Sequence, residues 1–287
     1  MPAAPEFVTV VEVSPRDGLQ NEQRLLGADV KVELVDRLGR CGFRAIEVTS
    51  FVSPKAVPQM ADAAEVMARI HRVPGVRYSV LTPNLRGFAG AHAARADAIC
   101  VFGSASETFS QRNINCSIAE SLDRFRPVVA AAREAGIAVR GTVSCALGCP
   151  YEGAVAPEAV ARVARALLAM GCEELSIADT IGVGTPEATT RVMRAVLDLV
   201  APARVNGHFH DTYQRALVNI DACLALGIRS FDASAAGLGG CPFAPGATGN
   251  VATESVLERL AAQGFATGVD VDAVRAVGAW IRAQLVA

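Results

Sequence analysis

Short apolar, β-branched runs recur along the chain, each followed by a polar loop and then by apolar residues at helical spacing. The runs predict strands at Phe7–Ser14, Ala45–Thr49, Val76–Leu81, Ala98–Phe102, Ala138–Ser144, Glu174–Ala178, Arg204–His210 and Ser230–Ser234. The intervening helices carry recognisable ends. Asp29 is placed to cap a helix whose apolar face is Val30, Leu34 and Leu38, with Gly42 just past its end. Pro157 opens another, with Val160, Val163, Leu167 and Met170 on one face and Gly171 as its stop, and Thr185-Pro186 starts a third. Strands alternating with helices at roughly 30 residues per unit argue for parallel βαβ connections. Eight such units without a linker predict one α/β domain over residues 1–287, a closed (β/α)8 TIM barrel. An open doubly wound sheet is the alternative, but no glycine-rich dinucleotide fingerprint follows the first strand.

A barrel of this kind carries its active site at the C-terminal ends of its strands. The polar residues fall there. Strand one ends in Pro15-Arg16-Asp17-Gly18, strand two carries Glu47, strand six ends in Asp179-Thr180, and strand seven ends in His208-Phe209-His210-Asp211. Strand eight leads into a loop from Gly237 to Gly249, closed by Asn250.

His208 and His210, two apart on a strand, point to the same face and form half a metal site. An isolated H-x-H is more often just two polar residues on a solvated edge strand; the position at a barrel mouth reverses that preference. Asp17 reads as an anionic ligand or as a turn residue before Gly18. Asn250 reads as an amide ligand or as the N-cap of a final helix. Arg16 can face a developing oxyanion with its fork of donors, or form a structural ion pair. Glu47, inside an apolar strand, is either functional or paired, because burying it alone is costly. Cys241 lies in the glycine-rich loop and can be a proton donor delivered on loop closure, or an incidental thiol in a phosphate-cradling loop. Two imidazoles with oxygen ligands suit Mg²⁺ or Mn²⁺ better than a sulfur-rich zinc site would.

Composition narrows the partners. The chain is 51% hydrophobic and 20% charged, with a net charge of −2 and no Lys/Arg-rich run. Nucleic acid and membrane surfaces are therefore poor partners, and an anionic ligand must be met by a few local cations. No basic leader precedes an apolar stretch and no segment fits a membrane span, so a soluble cytoplasmic protein is expected. The eight cysteines include no C-x-x-C pair and read as reduced, mostly buried thiols.

At these residues the sequence resembles the 3-hydroxy-3-methylglutaryl-CoA lyases. The segments "VEVSPRDGLQNE", "IEVTSFVSPKAVPQM", "VLTPNLRGF", "SCALGCPYEG", "ADTIGVGTP", "HFHDTYQRAL" and "GLGGCPFAPGATGN" carry the likeness in order across nearly the whole chain. The Arg-Asp and H-x-H set alone marks only the wider superfamily of metal-dependent lyases and condensing enzymes. The resemblance implies a metal-dependent cleavage of 3-hydroxy-3-methylglutaryl-CoA to acetoacetate and acetyl-CoA, a step of leucine degradation. It implies that Asp17, His208, His210 and Asn250 bind a divalent cation, that Arg16 faces the thioester and that Cys241 is the catalytic thiol. Glu47, Asp179 and Glu254 match family active-site acids, Thr180 accompanies Asp179 at the substrate, and Gln20 lies near the metal. It also implies a homodimer or larger homo-oligomer. A lyase for a longer branched 3-hydroxyglutaryl thioester and a condensing synthase are the alternative readings.

Overall fold

In the computed structural model, which describes residues 5–239 and 249–286, eight parallel strands close into a barrel in sequence order. They are β1 Thr9–Glu12, β2 Ala45–Ser50, β3 Arg77–Leu81, β4 Ala98–Ser104, β5 Ala138–Ser144, β6 Glu174–Asp179, β7 Val205–Phe209 and β8 Ser230–Ala233. The ring is completed by β1 pairing with β8, Thr9 opposite Ser230 through Glu12 opposite Ala233. Every predicted strand is present, with ends shifted by a few residues at most.

Around the barrel lie α1 Ala28–Gly39, α2 Ala63–Arg69, α3 Leu85–Ala93, α4 Glu107–Ile114, α5 Ile118–Glu134, α6 Pro157–Met170, α7 Pro186–Leu197, α8 Ala216–Ala225, α9 Thr253–Ala262 and α10 Val271–Val286. The helix ends follow local chemistry. Thr185 caps α7 by accepting from the Ala188 N–H, and α6 ends at Gly171, whose φ of 111° suits a residue without Cβ. Two readings of ends are corrected. Gly27, not Asp29, occupies the N-cap of α1; Asp29 sits in the first turn, its carboxylate turned to Arg69. Asn250 caps no helix, since α9 begins at Thr253 after Ala252, and α10 follows it.

The core lies between strands and helices, where Leu34, Ile46, Val80, Ile99, Val129, Leu167, Leu175, Met193, Ile220 and Phe231 are fully buried. Strands covered on both sides read as near-continuous apolar runs, as in "AIEV" and "AICV". The charges inside those runs must therefore be accommodated within the barrel. Arg140 on β5 bonds Asp232 on β8, and Arg77 on β3 bonds Glu174 on β6. Neither strand pair is adjacent in the ring, so these contacts cross the barrel interior. Among the described residues no helix is long and apolar enough to cross a membrane.

Candidate active site

β1 runs into a single π-turn over Ser14–Gly18, in which the amides of Arg16, Asp17 and Gly18 all converge on the Val13 carbonyl. Such turns are rare and tend to sit at functional sites, because the extra residue re-aims side chains. Here the turn directs Arg16 and Asp17 to the barrel mouth. Gly18 permits it: a Cβ there would meet Ser234 Oγ at 2.9 Å.

The H-x-H motif ends β7. Both imidazoles face the mouth, each 8% exposed, with ring centroids 5.4 Å apart. Phe209 between them is buried in the apolar layer, as strand alternation requires. Residues 249–252 then insert beside the ends of β7 and β8. His210 bridges Asn250, Val251 N–H donates to the Phe209 carbonyl, and Ser234 N–H donates to the Val251 carbonyl. This return places Asn250 next to a strand 40 residues earlier. Its Nδ2 donates to Asp17 Oδ2 at 2.8 Å and to the Leu238 carbonyl at 3.1 Å. Gly239, at φ +110°, lets the chain pass so close that a Cβ would lie 2.6 Å from that nitrogen.

Asp17, His208 and His210 each offer one ligand atom, and these atoms lie within 4.8 Å of one another. His208 Nε2 stands 3.9 Å from Asp17 Oδ2. Arg16 joins them: Nη1 donates to Asp17 Oδ1 at 2.5 Å, while Nε and Nη2 grip both oxygens of Glu47 at 2.9 and 3.1 Å. Burial works against a charged Arg16, but the carboxylates of Asp17 and Glu47 outweigh it and hold the guanidinium protonated. Burial would raise the Asp17 carboxyl, yet Arg16 and the two imidazoles pull it well below the usual carboxylate range. The histidines part company. Burial and the neighbouring His208 push His210 down to about 4. For His208 burial is outweighed by its hydrogen bond to Asp232 and the charge of Asp17, so its pKa rises.

A divalent cation fits these residues. Among the described residues the His210 Nδ1 is buried with no hydrogen-bond partner, where a buried polar atom ordinarily has one, so this ring is not committed elsewhere at that atom. One carboxylate and two imidazoles, with Asn250 able to add its amide oxygen, form a nitrogen–oxygen donor set rather than a thiolate one.

The remaining sequence candidates are distributed around this cluster. Gln20 follows the π-turn, partly buried. Asp179 turns its oxygens to the amides of Val183 and Gly184, at 3.1 and 2.8 Å, and burial raises it to about 6 despite those bonds. Thr180 Oγ1 accepts from the Cys145 amide, tying the end of β6 to that of β5. Both Glu254 oxygens accept from the Ala236 amide, bracing the start of the β8 loop rather than joining the Asp17 cluster. Cys241 lies outside the described residues. Three charged groups escaped the sequence reading: the buried Glu12 and Asp232 and the largely buried Arg140. All are charges within barrel strands, and that is the signal that could have found them, because a charge in a doubly covered strand needs a partner.

The fold and site define a class of protein first: a (β/α)8 barrel whose mouth gathers a carboxylate, two imidazoles and a clamped arginine. The HMGL-like family matches residues 7–281, and the chain belongs to that family. A Pseudomonas mevalonii protein named hydroxymethylglutaryl-CoA lyase is 53% identical over 98% of this chain and 93% of its own length. A Pseudomonas aeruginosa relative named 3-hydroxy-3-isohexenylglutaryl-CoA/hydroxy-methylglutaryl-CoA lyase is 56% identical over 98% of this chain and 94% of its own. The crystal structure of the HMG-CoA lyase from Brucella melitensis superposes with a TM-score of 0.97 at 54% identity, covering 98% of this chain and all of that one.

Proposed function

We propose that this protein is a divalent-cation-dependent lyase that cleaves 3-hydroxy-3-methylglutaryl-CoA to acetoacetate and acetyl-CoA. The observation that carries the reading is the convergence of Asp17, His208 and His210 within 4.8 Å beside Arg16, in a chain whose relatives bear that lyase's name. Asp17, His208 and His210 would hold the cation, with Asn250 contributing its Oδ1. When bound, Mg²⁺ or Mn²⁺ supplies Lewis acidity and a template for the substrate's oxygens.

The chain's own groups do the rest. Asp17 or His208 takes the proton of the tertiary hydroxyl, so that the carbon–carbon bond can break and leave a thioester enolate. Arg16, kept charged and oriented by Glu47, is the donor we assign to that enolate oxygen. Asp179 and Thr180 shape the wall of the mouth on the β6 side, and Glu254 braces the loop after β8. Cys241 is assigned the protonation of the enolate carbon on the strength of its sequence position; an unperturbed thiol, with a pKa of about 8.5, is mostly protonated at neutral pH. Cys241→Ala should then abolish most turnover while sparing cation binding.

A coupled assay for acetoacetate tests the whole. Acetoacetate should appear from 3-hydroxy-3-methylglutaryl-CoA with Mg²⁺ or Mn²⁺ and vanish with a chelator. No product with either ion would overturn the reading, and release of free CoA from acetyl-CoA plus a keto acid would mark a condensing synthase instead. The reading extends to a cytoplasmic homo-oligomer; relatives' names include both cytoplasmic and mitochondrial forms, and sedimentation of the purified chain tests the assembly.

A further inference from the structure

The mouth cluster is part of a larger closed circuit. Arg16 bonds Asp17 and Glu47; Asp17 faces His208; His208 Nδ1 meets Asp232 Oδ2 at 3.1 Å; Asp232 is held by Arg140. Arg140 and Glu47 line the same small cavity inside the barrel, which closes the loop. The circuit draws on the turn after β1 and on β2, β5, β7 and β8, and it sets opposite charges side by side except where the His208 imidazole stands between two carboxylates. Two arginines face three carboxylates, so with neutral imidazoles it carries one excess negative charge.

Asp232 and Arg140 are the members to which the proposed chemistry gives no part. Asp232 sits opposite His208 in the β7–β8 register, on the same face and at the same height, and it is 5% exposed. Arg140 Nη2 reaches both its oxygens, at 2.7 and 2.6 Å, from the far side of the barrel, and Ser176 Oγ approaches Oδ2 at 3.4 Å. A carboxylate held this way can only accept. It therefore keeps the His208 proton on Nδ1 and turns the bare Nε2 toward Asp17, the nitrogen a cation would use. Among the described residues His210 has no such partner; its Nδ1 is buried without a hydrogen bond.

We propose that Asp232 is a positioning residue: it fixes the tautomer of His208, with Arg140 fixing Asp232, so that His208 Nε2 is presented to the mouth as a lone pair. The proposal deepens the cation-dependent reading above and rests on it for its consequence, but not for the tautomer itself. Outer carboxylate partners of ligating histidines commonly act this way. The two histidines of the motif are then unequal, His208 held by a carboxylate at Nδ1 and His210 without one there among the described residues.

Asp232→Asn is the first test. The charged Arg140 claims the amide oxygen, the NH₂ group faces Nδ1, and the ring is forced into the Nε2–H form, the wrong tautomer. The second is Arg140→Met combined with Asp232→Leu, which removes acceptor and cation together and leaves no unpaired buried charge. Long-range ¹H–¹⁵N spectra of ¹⁵N-histidine protein without metal, at alkaline pH where the ring is neutral, read the tautomer; with four histidines in the chain, His208→Gln assigns the signal. The wild type should show Nδ1–H, Asp232→Asn should show Nε2–H, and the double variant should lose the preference. Mn²⁺ affinity by calorimetry should fall by about 10–100-fold in both variants. An unchanged Nδ1–H form in either folded variant, or Mn²⁺ affinity within about threefold of wild type where the tautomer has changed, overturns the proposal. A wild type that shows Nδ1–H but binds no Mn²⁺ would instead sink the cation-dependent reading and leave the tautomer assignment standing.

Discussion

Two carboxylates five residues apart on the same rim, Glu12 and Asp17, have opposite fates. Burial raises both. Asp17 lies against the Arg16 guanidinium and two imidazoles, and these charges drive it far down. Glu12 is fully buried among neutral donors only. The amides of Ser14 and Ala235 reach its Oε1 at 2.9 Å each and the Thr253 hydroxyl reaches its Oε2 at 2.8 Å, yet burial still lifts it to about 7. Dipoles alone do not hold a buried carboxylate charged; a full cation does. The difference also separates tasks. Glu12 knots the end of β1 to the loop after β8 and the start of α9, while Asp17 presents charge to the mouth.

Removing the charge at the mouth should give the largest effect. Asp17→Asn should weaken Mn²⁺ binding by more than the 10–100-fold typical of outer-shell partners, because it would delete the anionic ligand that the proposed function assigns. Calorimetric titration checks this, and an affinity within tenfold of wild type would place the ion elsewhere. Arg16→Gln comes next. Its loss should lower kcat by about 10²-fold, as for one oxyanion donor; a change confined to KM would contradict that role.

Glu12→Gln sharpens the other side of the comparison. The folded protein holds the Glu12 proton to about 7, against an ordinary value of 4.5. Between those values the folded state binds more protons than the unfolded one, so stability falls as pH rises through that window and levels off above it. The fall is about 3 kcal/mol at 1.36 kcal/mol per pKa unit. Glu12→Gln keeps the shape without the charge and should flatten this part of the stability profile in urea titrations; an equally steep profile in the variant would remove Glu12 as its source. The smallest effect belongs to Arg77 at the opposite end of the barrel. Its pair with Glu174 is more than a third exposed on both sides. Arg77→Met should cost about 1 kcal/mol or less, and a larger loss would show that solvent screens the lower pair no better than it screens the mouth.

The contrast also explains what the sequence made legible. Periodicity gave all eight strands, and the barrel rule placed Asp17, His208 and His210 at one rim, because local pattern determines each strand and closure determines which ends meet. Asp232 and Arg140 were not read: they lie 92 residues apart on strands that are not neighbours, and only the closed ring brings them together. Glu12 was hidden for a similar reason, since its partners Ala235 and Thr253 are more than 220 residues away. Asn250 drew notice in the sequence as an amide ligand or a helix cap, but its approach to Asp17 depends on the return of 249–252 alongside β7, a long-range pairing with no local signature. The Asp29 cap failed because Gly27 already had the extended φ/ψ that an N-cap requires.

The most direct measurement is anomalous diffraction from crystals soaked in Mn²⁺. A single strong peak within bonding distance of an Asp17 carboxylate oxygen and of one ring nitrogen each from His208 and His210 is the result expected. A peak elsewhere, or none at this rim under saturating Mn²⁺, would mean that these three side chains gather for some purpose other than holding a dication.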